Sequence, residues 1–467
     1  MRFPTTPTIW WVRRDFRLAD NPALGAAVDA GAAVLPLFVL DPVLLRSAGI
    51  GRRAWMLASL DALDADLRTG GGPGLSVLEG RPAEVLPAVA RRLGAASVHV
   101  SADFAPYGRR RDAAVAAALA ATGVELRATG SPYGVAPGTL TGQSGQPYAV
   151  FTPFHRAWLA HGVHGPAPAV AADQVTWLAA PDRVTPEAPD PAYARVAGEQ
   201  HATRAWRDWL ERDTAGPADY KRLHDVPGAD ASTHLSPALR WGHLHPRTVL
   251  ADLAERPSDG AAALARQVSW RDFYADVLLH RPDAVSRPIK AEFRAMELDD
   301  PVSGSLAAER LTAWEQGRTG YPLVDAGMRQ MVTEGWMHNR LRLVTGSFLV
   351  KDLHIGWEHG AAVYMRHLRD GDIAQNQLNW QWVAGCGNDP APYYRVFNPV
   401  LQSEKFDPNG RYIRRYVPEL ADVEPEFLHQ PWTAPGGPPE GYPLPIVEHA
   451  AERKEALARY AALRERP

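Results

Sequence analysis

A chain of 467 residues is long enough for roughly two to three domains at about 150 residues each. Hydrophobic residues make up 46% and charged residues 22%, an ordinary globular balance, and the formal net charge of −3 excludes a globally basic nucleic-acid binder, so a DNA partner would have to meet a local cationic patch. A single cysteine, Cys386, excludes an intrachain disulfide and any thiolate metal cluster and fits a reducing cytoplasm; no metal is expected, no stretch approaches a membrane span, and Met1 to Thr8 lacks a signal peptide's apolar core.

The first third alternates strand and helix signals. Short apolar runs at 8–12, 33–40, 75–78, 97–100 and 124–128 read as strands. Helix-like segments at 19–30, 52–69, 82–93 and 108–122 lie between them. This order predicts a doubly wound parallel sheet covered on both faces. No G-x-G-x-x-G follows the first strand, so a conventional dinucleotide site is not expected there, and 70–74 (GGGPG) reads as a loop. Residues 162–200 are rich in Pro, Ala and Asp and read as a surface linker. Helical periodicity then dominates: 201–213, 246–256, 260–279, 305–316, 322–334, 338–351 and 358–369. The expected division is an α/β domain over 1–135, an interdomain linker over 136–200 and an all-α domain over 201–467.

Several residues carry candidate chemistry. Ser232-Thr233-His234-Leu235-Ser236-Pro237 offers three hydroxyls before a proline suited to a helix start, which fits a phosphate; read alone it is better taken as an ordinary helix cap. Asp370 and Asp372 precede a helix-like segment and, read alone, are solvated loop acids. Of 15 tryptophans, most read as helical core.

Seven runs stand in a fixed order: Arg13-Arg14-Asp15-Phe16-Arg17-Leu18, Gly320-Tyr321-Pro322-Leu323-Val324-Asp325-Ala326, Trp336-Met337-His338-Asn339-Arg340-Leu341-Arg342, Asp370-Gly371-Asp372 with Asn376, Trp380-Gln381-Trp382, Arg395-Val396-Phe397-Asn398-Pro399, and Lys405-Phe406-Asp407. Together they resemble the photolyase/cryptochrome family along nearly the whole chain, most closely the bacterial enzymes that repair cyclobutane pyrimidine dimers. The resemblance implies a monomeric carbon–carbon lyase acting on UV-damaged DNA. Light drives electron transfer from reduced FAD to a lesion flipped out of the duplex. It makes the first domain an antenna-chromophore domain and the last an FAD-binding catalytic domain.

Residue by residue, the resemblance assigns the FAD phosphate clamp to Ser232, Thr233, His234, Leu235 and Ser236, with Tyr220 beside it and Arg271 on the flavin side. Arg342 pairs with Asp370, Asp372 serves the ring and ribose region, and Asn376 faces flavin N5. Trp380 and Trp357 match two members of an electron-transfer chain. The third, a surface tryptophan, falls at Gly304; Trp314 or a tyrosine is expected to replace it. Trp270 and Trp382 match the walls of the lesion pocket, and Asn339 a contact to the lesion. Gln267 stands where an acid is usual and Leu343 where a methionine is usual, which predicts altered repair. Arg340, Arg395 and Lys405 are expected at DNA phosphates. The run Ser101 to Asp112, with Asp103, Arg109, Arg14 and Arg240, resembles that of members with a deazaflavin antenna rather than folate.

Three other functions compete. A cryptochrome-like blue-light receptor is favoured by Gln267 and Gly304 and disfavoured by the lack of a long polar tail. Repair of (6–4) photoproducts is disfavoured because only His338 represents the histidine pair such enzymes carry. Single-strand-preferring relatives stay open.

Overall fold

A computed structural model describes residues 6–388 and 394–465, without the side chains of Ala194 and Glu465; the expectation for Met1 to Thr8 therefore lies largely outside the described residues. In chain order the elements are β1 (Thr8–Trp11), α1 (Pro22–Ala30), β2 (Val34–Leu40), α2 (Pro42–Ser47), α3 (Ile50–Thr69), β3 (Ser76–Glu79), α4 (Pro82–Leu93), β4 (Ser97–Val100), α5 (Pro106–Ala120) and β5 (Glu125–Ala128). Helices α6 (Phe151–His161), α7 (Pro191–Ala194), α8 (Glu199–Leu210), α9 (Tyr220–Leu223), α10 (Ser236–Trp241), α11 (Pro246–Ala254) and α12 (Asp259–His280) follow. The remainder is α13 (Leu306–Glu315), α14 (Pro322–Glu334), α15 (Asn339–Lys351), α16 (Trp357–His367), α17 (Ile373–Ala384), α18 (Pro399–Phe406), α19 (Arg411–Tyr416) and α20 (His449–Glu465).

Two compact units result. The first comprises residues 1–212 and 233–282, the second 213–232 and 283–467. The division expected near residue 200 is thus not the compact one: α8 and α10 to α12 pack in the first unit. Periodicity shows that a helix has an apolar face but not which sheet or helix buries it.

The first unit is built on a five-stranded parallel sheet in the order β3-β2-β1-β4-β5. Alternate residues of each strand face opposite sides. Trp10, Val34 and Phe38 bury against α1 and α3 through Leu24, Trp55 and Leu63, while Ile9, Leu35 and Leu37 bury against α4 and α5 through Leu86, Val89, Val115 and Leu119. Both faces are covered, as the uninterrupted apolar strands predict. The segment read as a linker is tied down: Val34 exchanges backbone hydrogen bonds with Thr176 and Leu178, and Trp177 packs on the core. It also follows a helix that sequence reading missed. Helix α6 buries Phe151, Phe154 and Trp158 and packs on α12, with the Phe154 and Phe273 rings 5.2 Å apart.

The second unit has a helical core centred on Trp314, Leu323, Met328, Leu341, Phe348 and Trp380. The run at 320–326 proves to be architectural. Asp325 is fully buried and accepts hydrogen bonds from the Thr319 N–H and hydroxyl, the Gly320 N–H and the Tyr442 hydroxyl. Burial raises its carboxyl above the usual range, and these donors oppose that shift.

Candidate functional site

In the second unit, α15, α16 and α17 bring one cluster together. His338 caps α15, its Nδ1 accepting from the Arg340 N–H at 3.2 Å. Asp372 caps α17, accepting from the N–H groups of Ala374 and Gln375 at 3.0 and 3.2 Å. Asp372 is therefore an N-cap, which holds the acid buried at a fixed place. Its neighbour Asp370 pairs with Arg342: Nη2 meets Oδ2 at 2.7 Å, and Arg342 Nε donates to the Met337 carbonyl at 2.9 Å. The other oxygen of Asp370 is buried and has no hydrogen-bond partner, and neither has the buried Nε1 of Trp380. A lone acceptor and a lone donor inside a protein each carry an uncompensated desolvation cost of about 1–3 kcal/mol. Buried polar atoms left in this way call for a partner that the protein itself does not supply, such as a bound ligand. Asn376 lies on the same helix as Trp380; its Nδ2 donates to the Ala361 carbonyl at 3.0 Å and to Gln377 Oε1 at 2.7 Å, which leaves Oδ1 as its acceptor.

Trp380 is 3% exposed and sits edge-on to Tyr364 at 4.8 Å and to Trp314 at 6.1 Å. The expectation that Trp314 replaces a surface tryptophan is overturned. Its ring is fully buried and its Nε1 donates to the Thr345 carbonyl at 3.0 Å, so it cannot meet solvent. Trp357 opens α16 and lines a cavity. Gly304 stands in a loop at φ +80° with nothing within 4 Å of where a Cβ would lie. Asn339 and Arg395 are exposed, Leu343 and Trp382 half-buried.

Four other expected contacts fall in this unit. Arg340 is an ion-pair partner of Asp225 and lies over the Phe406 ring at 4.3 Å, so any phosphate contact would compete with both. Lys405 is exposed beside the same ring at 5.1 Å. Tyr220 opens α9, buried and stacked on His224 at 5.1 Å; burial first, then Asp225, raises its hydroxyl's pKa. Ser232 is half-buried.

In the first unit, Thr233 and His234 precede α10, His234 at φ +51°, and Ser236 opens that helix after a buried Leu235. Along α12, Gln267 is exposed and Trp270 half-buried. Trp270 lies flat on Phe151, with centroids 3.6 Å apart and planes 9° apart. His155 is stacked on Phe151 at 5.3 Å and shares a 2.8 Å hydrogen bond between its Nδ1 and the Ser269 hydroxyl. Sequence reading missed Phe151 and His155 because their segment carried no clear period. Arg271, expected on the flavin side, directs Nη1 at the Pro132 carbonyl (2.7 Å) and Nη2 at the Leu239 carbonyl (3.0 Å), which makes it a tie between a loop and helix α10 of this unit.

A second cluster lies beyond the C-terminal ends of β1, β2 and β4. The strand order reverses between β1 and β4, where open α/β sheets bind ligands. Asp103 accepts from the Ala105 N–H at 3.1 Å and pairs with Arg111 at 3.1 Å. Burial alone would raise the Asp103 carboxyl, but Arg13, Arg111 and Arg14 hold it below the usual range. Arg13 and Arg111 lie over the Trp11 ring at 4.6 and 5.1 Å, Arg13 pairs with Asp112, and Tyr107 hydrogen-bonds Asp41. Arg14 donates to the Arg240 carbonyl at 3.3 Å, Arg240 covers Trp241 at 4.9 Å, and Arg109 is exposed. Arg13, Tyr107 and Arg111 lie within the runs at 13–18 and 101–112 without having been singled out there, and Asp41 was not anticipated.

Among the described residues, no helix is long and apolar enough to cross a membrane and no His, Cys, Asp and Glu cluster could hold a metal.

Two family models match, described as DNA photolyase over residues 8–172 and as the FAD binding domain of DNA photolyase over residues 264–462. A deoxyribodipyrimidine photo-lyase of Streptomyces griseus is 41% identical over 461 residues, covering 96% of this chain and 97% of that protein. The solved structure of a bacterial class III photolyase from Agrobacterium tumefaciens superposes with a TM-score of 0.87 at 35% identity, over 100% of this chain and 99% of that one. An archaeal photolyase from Sulfolobus tokodaii, solved with two FAD molecules, gives a TM-score of 0.83 at 27% identity, over 98% and 100%.

Proposed function

The chain belongs to the DNA photolyase family, and from that premise we propose that it repairs cyclobutane pyrimidine dimers in UV-damaged DNA under light, with FAD as cofactor. The observation that carries the cofactor's place is the buried, partnerless Oδ1 of Asp370 in the Arg342–Asp370 ion pair, with the partnerless Nε1 of Trp380 in the same unit. FAD has both the donors and the acceptors that these atoms lack. When bound in its reduced form it supplies a one-electron donor that light excites.

The chain's own residues then have distinct tasks. Arg342 holds Asp370 in place, and removing either would leave the other without its ion-pair partner. Asp372, Asn376, Tyr220, Ser232, Thr233, His234, Leu235, Ser236 and Arg271 are the further proposed FAD contacts. Trp380 and Trp357 carry indoles, which are readily oxidised, and serve as electron donors that keep the site reduced. Trp270 and Trp382 offer flat walls to a flipped-out dimer, Asn339 and Gln267 polar contacts to its edges. Gln267 donates and accepts hydrogen bonds but cannot supply a proton as a carboxylic acid would. Arg395, Lys405 and Arg340 are the proposed phosphate contacts, with Arg340 constrained by Asp225. The 1–135 domain is proposed to take an antenna pigment at the Asp103, Arg14, Arg109 and Arg240 region, a deazaflavin before a folate. A monomer in the cytoplasm is the proposed state.

The test is photorepair of a dimer-containing oligonucleotide by pre-reduced protein, with a dark control and a (6–4) oligonucleotide in parallel. Light-dependent restoration of the cyclobutane substrate alone is the expected result. No repair of either lesion by flavin-loaded protein would favour a light receptor, the reading that Gly304 and Gln267 support.

A further inference from the structure

The second unit contains a cavity of about 500 Å³ lined by none of the proposed flavin, lesion or phosphate contacts. Its volume lies within the range of roughly 300–1,000 Å³ typical of small-molecule sites. Three aromatic side chains, Trp357, Phe293 and Tyr394, form part of its wall. Flat walls select a flat occupant. Arg287 and Arg294 also line it, are both exposed, and outnumber the one carboxylate there, Glu358. Mobile guanidinium groups at a rim draw anions in and can close on a carboxylate or enolate in a bidentate way.

The identity of one wall gives the cavity a purpose. Trp357 is the outer of the two indoles assigned to electron donation, yet it is only 5% exposed. At Gly304, where a surface tryptophan would extend the chain, there is open space, and Trp314 is sealed inside. An electron lost from Trp357 must therefore be replaced from somewhere other than a further tryptophan at these positions. We propose that the cavity docks a small, flat, anionic one-electron donor, an enediolate or a phenolate, which restores Trp357 directly. This rests on the reading of Trp357 and Trp380 as electron donors. The balance is simple. Trp357 passes one electron inward and becomes an indole radical cation. The docked anion gives one electron, becomes a radical, and leaves the indole neutral; any proton the donor radical sheds goes to water.

Two measurements test this. The first uses FAD-loaded protein under blue light with ascorbate as the probe and flavin absorbance as the readout. Photoreduction is expected to saturate with ascorbate. In the Arg287→Glu/Arg294→Glu variant the half-saturating concentration should rise at least about tenfold, as for the loss of a charge-paired contact. The same variant should be unchanged with dithiothreitol, which is neutral, and in dimer repair by pre-reduced protein. The second needs neither light nor flavin. Benzoate, flat, anionic and redox-inert, should bind saturably in the dark by isothermal titration calorimetry, and the Arg287→Glu/Arg294→Glu variant should bind it at least about tenfold more weakly. A strictly linear dependence on ascorbate, or charge reversal without effect, would overturn the docking site. Saturable benzoate binding together with ascorbate-driven photoreduction that survives Trp357→Phe would instead overturn the donor role and, with it, the electron-chain reading.

Discussion

Trp270 owes its place to a residue on another helix. Its ring lies flat on Phe151, Phe151 is flanked by His155 and by the Arg266 guanidinium at 4.7 Å, and His155 is hydrogen-bonded to Ser269, the neighbour of Trp270. Near face-to-face aromatic pairs are not intrinsically favoured, and a cation against one ring offsets the quadrupole repulsion. Phe151 is thus a positioning residue for the proposed lesion wall. Losing the stack should cost about 0.5–1.5 kcal/mol of substrate binding. Phe151→Leu should raise KM for a dimer oligonucleotide several-fold with little change in kcat, and Phe151→Tyr should restore it. Equal KM in all three proteins would remove the assignment. At this scale Trp270, Arg342, Asp370 and Asn376 could be named as candidates because each sits in a short run with its neighbours. Phe151 was not, because its meaning lies in a contact between distant segments.

Helices α16 and α17 meet at a glycine. A Cβ on Gly360 would stand 2.1 Å from Cη2 of Trp380 and 2.5 Å from Cδ2 of Leu349, so only glycine lets the two helices approach with that indole between them. Gly360→Ala should overpack this contact at a cost of about 1–3 kcal/mol. It should lower Tm and slow flavin photoreduction together as Trp380 is displaced. A lowered Tm with unaltered photoreduction would show that the indole's position is not what Gly360 protects. The same pair of helices shows why α17 is weakly visible as a pattern: Asn376, Trp380 and Gln381 are buried on it among apolar residues, so no clean apolar stripe exists. Helix α20 escaped notice for the opposite reason. Much of its surface is charged and exposed, and it is held by specific pairs, His449 with Asp352 and Arg459 with Asp299.

The stability of the whole molecule should depend on pH through histidines that folding keeps neutral. His243 is 1% exposed; its Nδ1 accepts from the Gly198 N–H at 3.3 Å, so its Nε2 carries the proton toward the Ser59 hydroxyl at 2.9 Å. Burial, then Arg17, depresses its pKa to about 3. The unfolded chain therefore takes up this proton first as pH falls below about 6.5, and the native state loses stability by up to about 1.4 kcal/mol per pH unit until the folded pKa is reached. Urea unfolding at pH 7 and pH 5 should show this loss, and His243→Gln should shrink the difference. A variant whose pH dependence matched wild type would place the titration elsewhere.

Alternation of apolar strands with helices, read from the chain alone, was enough for a parallel sheet followed by a helical region, because strand and helix periods are local properties. Runs such as 336–342 and 370–372 likewise stood out as candidate site residues, since the members of each run lie within a few positions of one another. Tertiary structure alone decided that 201–212 and 233–282 pack with the sheet-bearing unit, that Trp314 is buried, that Phe151 backs Trp270, and that Trp357 faces a cavity. Each of these depends on which distant surfaces come into contact, and burial and ring stacking are properties of that contact rather than of any stretch of sequence.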